Sequence, residues 1–236
     1  MKYLIHTCPK REWYVNDHLI PLLTEQGITK NDIKVWNDKN KVGNLESFVA
    51  SCEWIGKNYD LKESTWHLQD DIVVSKRFVE EAEKPYSGFK NGFCNEIFDG
   101  ERTNYIGEIT SNGMWFSFQC ILIPNKAAAE FAKWFREECV PQGLYPEYVE
   151  SGRCDDSLFR AWVMGHLSIP ALNVFPNIAD HIDYLIGGTA CGTRKVNDTR
   201  KAYWRDQYLD DAVSELEKRL AKKKKEELRK YVDSSQ

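Results

Sequence analysis

Several things are missing from this chain, and each absence narrows what it does. No Cys-x-x-Cys pair occurs, and no cysteine and histidine stand at zinc-ligand spacing. The opening Met1-Lys2-Tyr3-Leu4-Ile5-His6-Thr7 is far too short for a signal-peptide core, and no apolar run is long enough to span a bilayer. No glycine- and lysine-rich phosphate loop stands near the amino terminus, which counts against a nucleotidyltransferase. No internal repeat is visible. The seven cysteines (Cys8, Cys52, Cys94, Cys120, Cys139, Cys154 and Cys191) are scattered singly, mostly beside apolar residues. An odd, dispersed set reads as reduced thiols, so the expected compartment is the cytoplasm.

What is present suits one α/β domain, or one domain with an appended helix, in 236 residues. The 42% apolar content, 13% of residues being aromatic, is enough for a sizeable core. The eight tryptophans also offer faces on which sugar rings or nucleobases stack. Net charge is −4, but Glu215 to Lys230 alone carries +4 and leaves −8 on the remainder. A body that acidic does not bind nucleic acid nonspecifically through its bulk.

Tyr3 to His6 reads as a first strand, running into Thr7-Cys8-Pro9-Lys10-Arg11, a loop with two positive charges. An amphipathic helix carrying Trp13, Tyr14, Leu19, Leu22 and Leu23 comes next, kinked or restarted at Pro21 and ended by Gly27. Ile33 to Trp36 is the second strand, and Asn37 to Asn44 a polar loop. Asn44 fits the N-cap of a helix through Phe48, Val49, Cys52, Trp54 and Ile55. Thr65 to Gln69 is the third strand.

This β-α-β-α-β order with short connections predicts a parallel sheet built by right-handed crossovers. Beyond a short helix at Arg77 to Glu80 the pattern loosens. Short strands are expected within Phe89–Phe98 and Tyr105–Ile109, and a stronger one over Trp115–Ile123 stops at Pro124. A helix over Ala127–Cys139 has Phe131, Trp134 and Phe135 on one face. Val140 to Gly152 reads as a loop, Asp155 to Gly165 as a helix, and Leu167 to Val174 as a last strand. Leu209, Val213, Leu216 and Leu220 then mark a helix stripe, interrupted by Lys222-Lys223-Lys224-Lys225. The default reading of this last segment is a solvated helix fraying toward Gln236, with a nucleic-acid or partner contact as the alternative.

Chemistry concentrates in Trp66-His67-Leu68-Gln69-Asp70-Asp71-Ile72-Val73-Val74. An apolar strand ending in paired aspartates presents carboxylate oxygens at the carboxyl edge of a sheet, where open α/β sheets place ligands. Such oxygens suit magnesium or manganese, which in turn hold a diphosphate.

A β-α-β-α-β start whose third strand ends in acids resembles the GT-A class of nucleotide-sugar glycosyltransferases. The class's short D-x-D-like motif would occupy Gln69-Asp70-Asp71, with Gln69 in place of the first acid. Gly152-Arg153-Cys154-Asp155-Asp156-Ser157-Leu158-Phe159 looks like the acidic helix start that offers a catalytic base in inverting members. Phe175-Pro176-Asn177-Ile178-Ala179-Asp180-His181, followed by Gly187-Gly188-Thr189, looks like the class's distal histidine. The resemblance covers roughly Lys2 to Thr189.

It implies a GT-A-like, Rossmann-like mixed sheet, mostly parallel and flanked by helices, over residues 1–195, with a charged helical extension over 196–236. It further implies sugar transfer from a nucleotide diphosphate sugar, a uridine one favoured, with Mn2+ or Mg2+ as cofactor. Asp71 is then the principal metal ligand, Asp70 its partner and His181 the distal ligand. Asp156 is the base, with Asp155 second. The loops after strands one and two hold the donor through Thr7, Pro9, Arg11, Asp38, Gly43, Asn44 and Ser47, along with Gln69 and Asp70. The acceptor lies near Trp115, Ser117 and the Tyr145–Glu150 loop. It is a glycan, a protein, a small molecule or a hydroxylated nucleic-acid base, and no membrane partner is implied. The competing readings are a nucleotidyltransferase and a sugar-nucleotide-binding protein without turnover.

Overall fold

Tyr3, Leu4 and Ile5 are all buried, so β1 (Lys2–Thr7) has core on both of its faces, as a strand inside a parallel sheet must. The computed structural model describes residues 1–93, 109–110, 118–152, 155–167, 169, 171–174, 176–187 and 205–233. The remaining strands are β2 (Ile33–Asn37), β3 (Ser64–Gln69), β4 (Ile72–Val74), β5 (Phe89–Asn91), β6 (Ile109–Thr110), β7 (Cys120–Pro124), β8 (Ala171–Asn173) and β9 (Ala179–His181).

Seven of them form one sheet in the order β2-β1-β3-β7-β5-β8-β6. β1 runs parallel to β2 and β3, with Ile5 opposite Val35 on one side and Leu68 on the other. β7 is antiparallel to β3 and to β5, β8 is parallel to β5, and β6 is antiparallel to β8. Five of the seven strands therefore point one way, and the predicted β-α-β-α-β start is its most regular half.

Alternation along each strand divides the core into two layers. Tyr3, Ile5, Trp66, Leu68 and Leu122 face α1 (Glu12–Tyr14), α2 (Ile20–Glu25), the β4–β9 pair and the last helix. Leu4, Ile121 and Ile123 face α3 (Asn44–Asn58), α5 (Asn125–Trp134) and α7 (Asp155–His166).

Several local expectations change. Pro21 does not break its helix: a π-helical turn (Val15–Leu19) joins α1 to α2, and Pro21 falls in the first turn of α2, where a missing N–H costs little. The residue before α3 is Gly43, not Asn44, with φ 98° and ψ 160°, a backbone region that glycine alone occupies freely. The Val140–Gly152 loop contains a short helix, α6 (Pro146–Ser151), started by Pro146. The last strand of the sheet covers only Ala171–Asn173, and β9 was not expected at all. α4 (Phe78–Ala82) starts one residue later than predicted and ends two later.

α8 (Gln207–Asp233) is not a solvated helix along its whole length. Leu209, Ala212, Val213 and Leu216 are buried and Leu220 packs beside them, against β4 and β9. Burying each large aliphatic side chain is worth about 1.5–3 kcal/mol, which is enough to seat this half firmly. Lys222 to Lys225 lie beyond it and are exposed. Among the described residues, no helix is long and apolar enough to cross a membrane.

Candidate active site

β1 and β3 end side by side, and the loops that leave their carboxyl ends are tied to one another. After Gln69 the chain turns at Asp70-Asp71 into β4. After Thr7 it makes a tight turn in which Arg11 and Glu12 donate backbone N–H groups to the Cys8 carbonyl at 2.9 and 3.1 Å. That turn places the Arg11 guanidinium, only 1% exposed, between the two carboxylates. Its Nη1 lies 3.0 Å from Asp70 Oδ1 and 2.9 Å from Asp71 Oδ2.

Asp70 is fully engaged by the protein. Its Oδ2 accepts from Thr7 Oγ1 at 2.8 Å and from the Cys8 backbone N–H at 3.2 Å. Tyr14 donates its hydroxyl to the Ile72 carbonyl at 2.7 Å, so the helix after β1 grips the strand after the acids.

Asp71 is different. Its Oδ2 lies 3.2 Å from His181 Nε2, while its Oδ1 is buried without a hydrogen bond. The short β4–β9 pair brings these residues together: Ile72 stands opposite His181, and Ile182 donates its backbone N–H to the Asp71 carbonyl at 2.7 Å. Behind the ring, His181 Nδ1 lies 3.3 Å from Asp183 Oδ1, and the Asp183 side chain is 5% exposed.

The electrostatics separate the two aspartates. Burial, reinforced by the charge of Asp71, pushes Asp70 up to about 6. Burial acts the same way on Asp71, but His181 and Arg11 outweigh it and hold that carboxyl well below the usual range.

A second chain of contacts closes the rim. Asp38 donates its backbone N–H to the Thr7 carbonyl at 2.8 Å, and its carboxylate accepts from the N–H groups of Val42 and Gly43 at 3.0 and 3.3 Å. Leu45 donates to the Gly152 carbonyl at 3.1 Å, just before α7. A Cβ on Gly43 would lie 3.2 Å from that same Gly152 oxygen. The loops after β1 and β2 and the approach to α7 thus share one border.

At the start of α7, Asp155 is buried and Asp156 half-buried. Burial, with the charges of Asp156 and of Asp71 across the site, pushes Asp155 up to about 7. Asp156 accepts from the Ser157 backbone N–H at 2.7 Å and from its hydroxyl at 3.3 Å.

The structure therefore gathers Thr7, Arg11, Asp70, Asp71 and His181 into one cluster, with Asp38 and Gly43 on its border. Ser47 is buried and donates its backbone N–H to the Gly43 carbonyl at 2.9 Å, so it supports that border from within. Pro9 and Asn44 are exposed and Gln69 half-buried at the strand end. Trp115 and Ser117, proposed for the acceptor, lie outside the described residues, as do Arg153, Cys154, Gly188 and Thr189. Sequence reading missed Asp183. No pattern in the sequence could have flagged it, because it lies in the turn after β9 rather than on a strand face.

Asp71 and His181 fit a divalent cation in a limited way. A buried carboxylate oxygen without a hydrogen bond, beside an imidazole nitrogen, is a donor pair that manganese accepts. Among the described residues, no group of three or more His, Cys, Asp or Glu side chains converges to hold an ion. The protein would supply these two ligands and leave the other positions to phosphate oxygens and water, the usual arrangement at phosphate-handling sites. Asp70, with both oxygens already engaged, serves to hold the loop.

No family model matches the chain, and no curated protein does. Among solved structures, the chain is similar to galactosyltransferase LgtC in complex with donor and acceptor sugar analogues, at 11% identity and a TM-score of 0.40. That match covers 77% of this chain and 87% of the other. A likeness of this degree carries no argument about activity, so the functional reading rests on the site itself.

Proposed function

We propose that this protein transfers a sugar from a nucleotide diphosphate sugar to an acceptor hydroxyl, with Mn2+ or Mg2+ held by Asp71 and His181. The observation that carries this reading is the 3.2 Å approach of His181 Nε2 to Asp71 Oδ2 at the end of β3, with Asp71 Oδ1 buried and unsatisfied beside it. When bound, a divalent ion neutralises the charge that develops on the departing diphosphate.

The protein's own groups do the rest. Arg11 adds a fixed positive charge beside the same position. Thr7 and Asp70 hold the loop that carries Arg11, and Asp38 shapes the loop expected to border the nucleoside. The bond from the sugar's anomeric carbon to the diphosphate breaks as the acceptor oxygen bonds to that carbon. In an inverting reaction the acceptor's proton passes to a carboxylate. Asp155 suits that role better than Asp156, because it is buried, faces the field of Asp71, and has an affinity for protons matched to neutral pH. Uridine diphosphate is the nucleotide we propose for the donor.

Calorimetry of uridine diphosphate with Mn2+, and again with chelator, tests the reading. Affinity should be markedly higher with the ion, and Asp71→Ala should erase the difference. Equal affinity in both conditions would sink the metal role. Hydrolysis of a uridine diphosphate sugar in the presence of Mn2+ then separates an enzyme from a binding protein.

A further inference from the structure

Lys90 stands at an unusual place in the central sheet. Phe89 packs in the layer with α3, α5 and α7, so alternation turns Lys90 to the opposite face, where its register partners are Leu122 and Leu172. An apolar side chain is the ordinary occupant of such a position, yet this lysine is only 1% exposed. It lines a cavity of about 390 Å3 between the sheet, α4 and the approach to α8, with Val174 and Ile178 on the apolar wall.

The charges around this cavity do not cancel. Lys90 Nζ donates to the carbonyls of Lys84 and Glu81 at 2.7 and 3.2 Å, and both acceptors are neutral. Glu81 and Asp206, the acids on the cavity wall, are engaged elsewhere. The Glu81 carboxylate pairs with Lys84 at 2.5 Å and lies 3.9 Å from Arg77, and Asp206 Oδ1 accepts the Leu209 backbone N–H at 2.9 Å. Among the described residues, no carboxylate stands within ion-pair distance of Lys90. With Arg77 and Lys84 also on the wall, the lining carries three cations against two acids.

Two buried donors are left over. An ammonium has three N–H groups, and the two carbonyls take only two of those on Lys90. Ser75, 2% exposed, accepts the Arg77 backbone N–H at 3.2 Å, while its own hydroxyl proton has no protein acceptor among the described residues. Burial draws the Lys90 amine below the usual lysine value, the charge of Lys84 adding to this and that of Glu81 opposing it. An anion beside the amine would reverse that shift.

The structure assigns this cavity to a small oxyanion, a carboxylate or phosphate group on a partly apolar body, held by the Lys90 ammonium and the Ser75 hydroxyl. Its volume falls in the range of small-molecule pockets. It is separate from the candidate active site. Ser75 donates its backbone N–H to the Ile178 carbonyl at 2.8 Å, one step beyond the Val74–Ala179 pair, whereas His181 stands at the other end of the same ladder. Binding here is independent of the sugar-transfer reading.

The test uses the full chain at constant ionic strength, with sodium phosphate and sodium butyrate as probes and sodium chloride as reference. Backbone amide NMR reads the location: saturable shifts at Ser75, Lys90 and Ile178 are expected with at least one probe and not with chloride. A response to phosphate alone identifies a phosphate-bearing ligand, and one to butyrate alone a carboxylate on a hydrocarbon body. A response to both means that the oxyanion itself suffices. Lys90→Met keeps most of the side-chain volume without the charge and should remove these shifts. Ser75→Ala should weaken affinity about 10- to 100-fold through loss of one hydrogen bond to a charged group. It also keeps the test open should Lys90→Met fail to fold.

No saturable shift with either probe overturns the inference. Shifts confined to Thr7, Arg11 and Asp71 overturn it too, because they would put the anion in the candidate active site. Unchanged affinity in either folded variant has the same force.

Discussion

Ile182 donates its backbone N–H to the carbonyl of Asp71 at 2.7 Å, although 111 positions separate the two in the chain. This bond continues the β4–β9 ladder by one residue and fixes the depth at which His181 enters the site. The approach of imidazole to carboxylate is thus set by backbone pairing as well as by the side chains.

Arg11 is the residue whose loss should cost the fold most. With its guanidinium removed, Asp70 and Asp71 are left buried beside each other without their shared cation. Arg11→Ala should destabilise the protein by about 3–5 kcal/mol, read from the urea midpoint. Arg11→Met should behave no better, because the missing term is charge, not volume. A loss under about 1 kcal/mol would mean that water reaches these carboxylates freely.

The two acids of α7 should separate in a pair of variants. Asp155→Asn should cut sugar transfer by roughly a hundredfold to ten-thousandfold, with uridine diphosphate affinity nearly unchanged. Asp156→Asn should leave transfer within a few-fold and lower the melting temperature slightly, by loss of a helix-terminal charge worth about 0.3–1 kcal/mol. The reverse ranking would return the base to Asp156.

The pH dependence comes from the same carboxyl. Asp155 accepts a proton below about 7, so the transfer rate should decline as pH falls through that value, and the limb should vanish in Asp155→Asn. Stability should move the opposite way. Between the ordinary carboxyl value and about 7, the folded state holds a proton that the unfolded chain has released, so stability falls as pH rises across that window. Asp70, raised to about 6, acts in the same direction, whereas Asp71 is depressed and contributes stability that is lost as pH falls into the acid range. Urea midpoints from pH 4 to 8, with and without Asp155→Asn, measure the Asp155 share as a flattened slope.

Gly43 offers a test of the rim. Its backbone region is one that only glycine occupies freely, and a methyl group there would also press on the Gly152 oxygen. Gly43→Ala should destabilise by about 1–3 kcal/mol and weaken uridine diphosphate binding through the displaced Asp38 loop. Unaltered binding at unaltered stability would show that the loop tolerates another path.

Periodicity made the first half of the sheet legible. The apolar runs at Tyr3–Ile5, Ile33–Trp36 and Thr65–Leu68, each divided from the next by a helical pattern, leave little choice but adjacent parallel strands. The second half resisted because its strands are very short: Phe89–Asn91 and Ala171–Asn173 carry too few residues for alternation to register. β9 escaped for the same reason, and with it the burial of His181, which reads in sequence as part of a polar loop. The order of Asp155 and Asp156 could not be read because adjacent residues at a helix start point in different directions. Which of them faces inward depends on the packing of Leu158 and Phe159 against the core. The stripe in α8 was visible, but a stripe alone does not say whether protein or solvent covers it.

That helix has a consequence for the order in which the molecule can be completed. The charge cluster of Arg11, Asp70 and Asp71 lies within the first third of the chain, at the ends of β1 and β3. β9, which completes the ladder with β4, and the helix packed on that pair come from much later in the chain. A chain emerging amino terminus first therefore has Arg11, Asp70 and Asp71 in hand while His181 is still unmade. One guanidinium against two carboxylates leaves a net charge of −1 at that place, and the pair that would bind a cation is finished late, only when His181 joins Asp71.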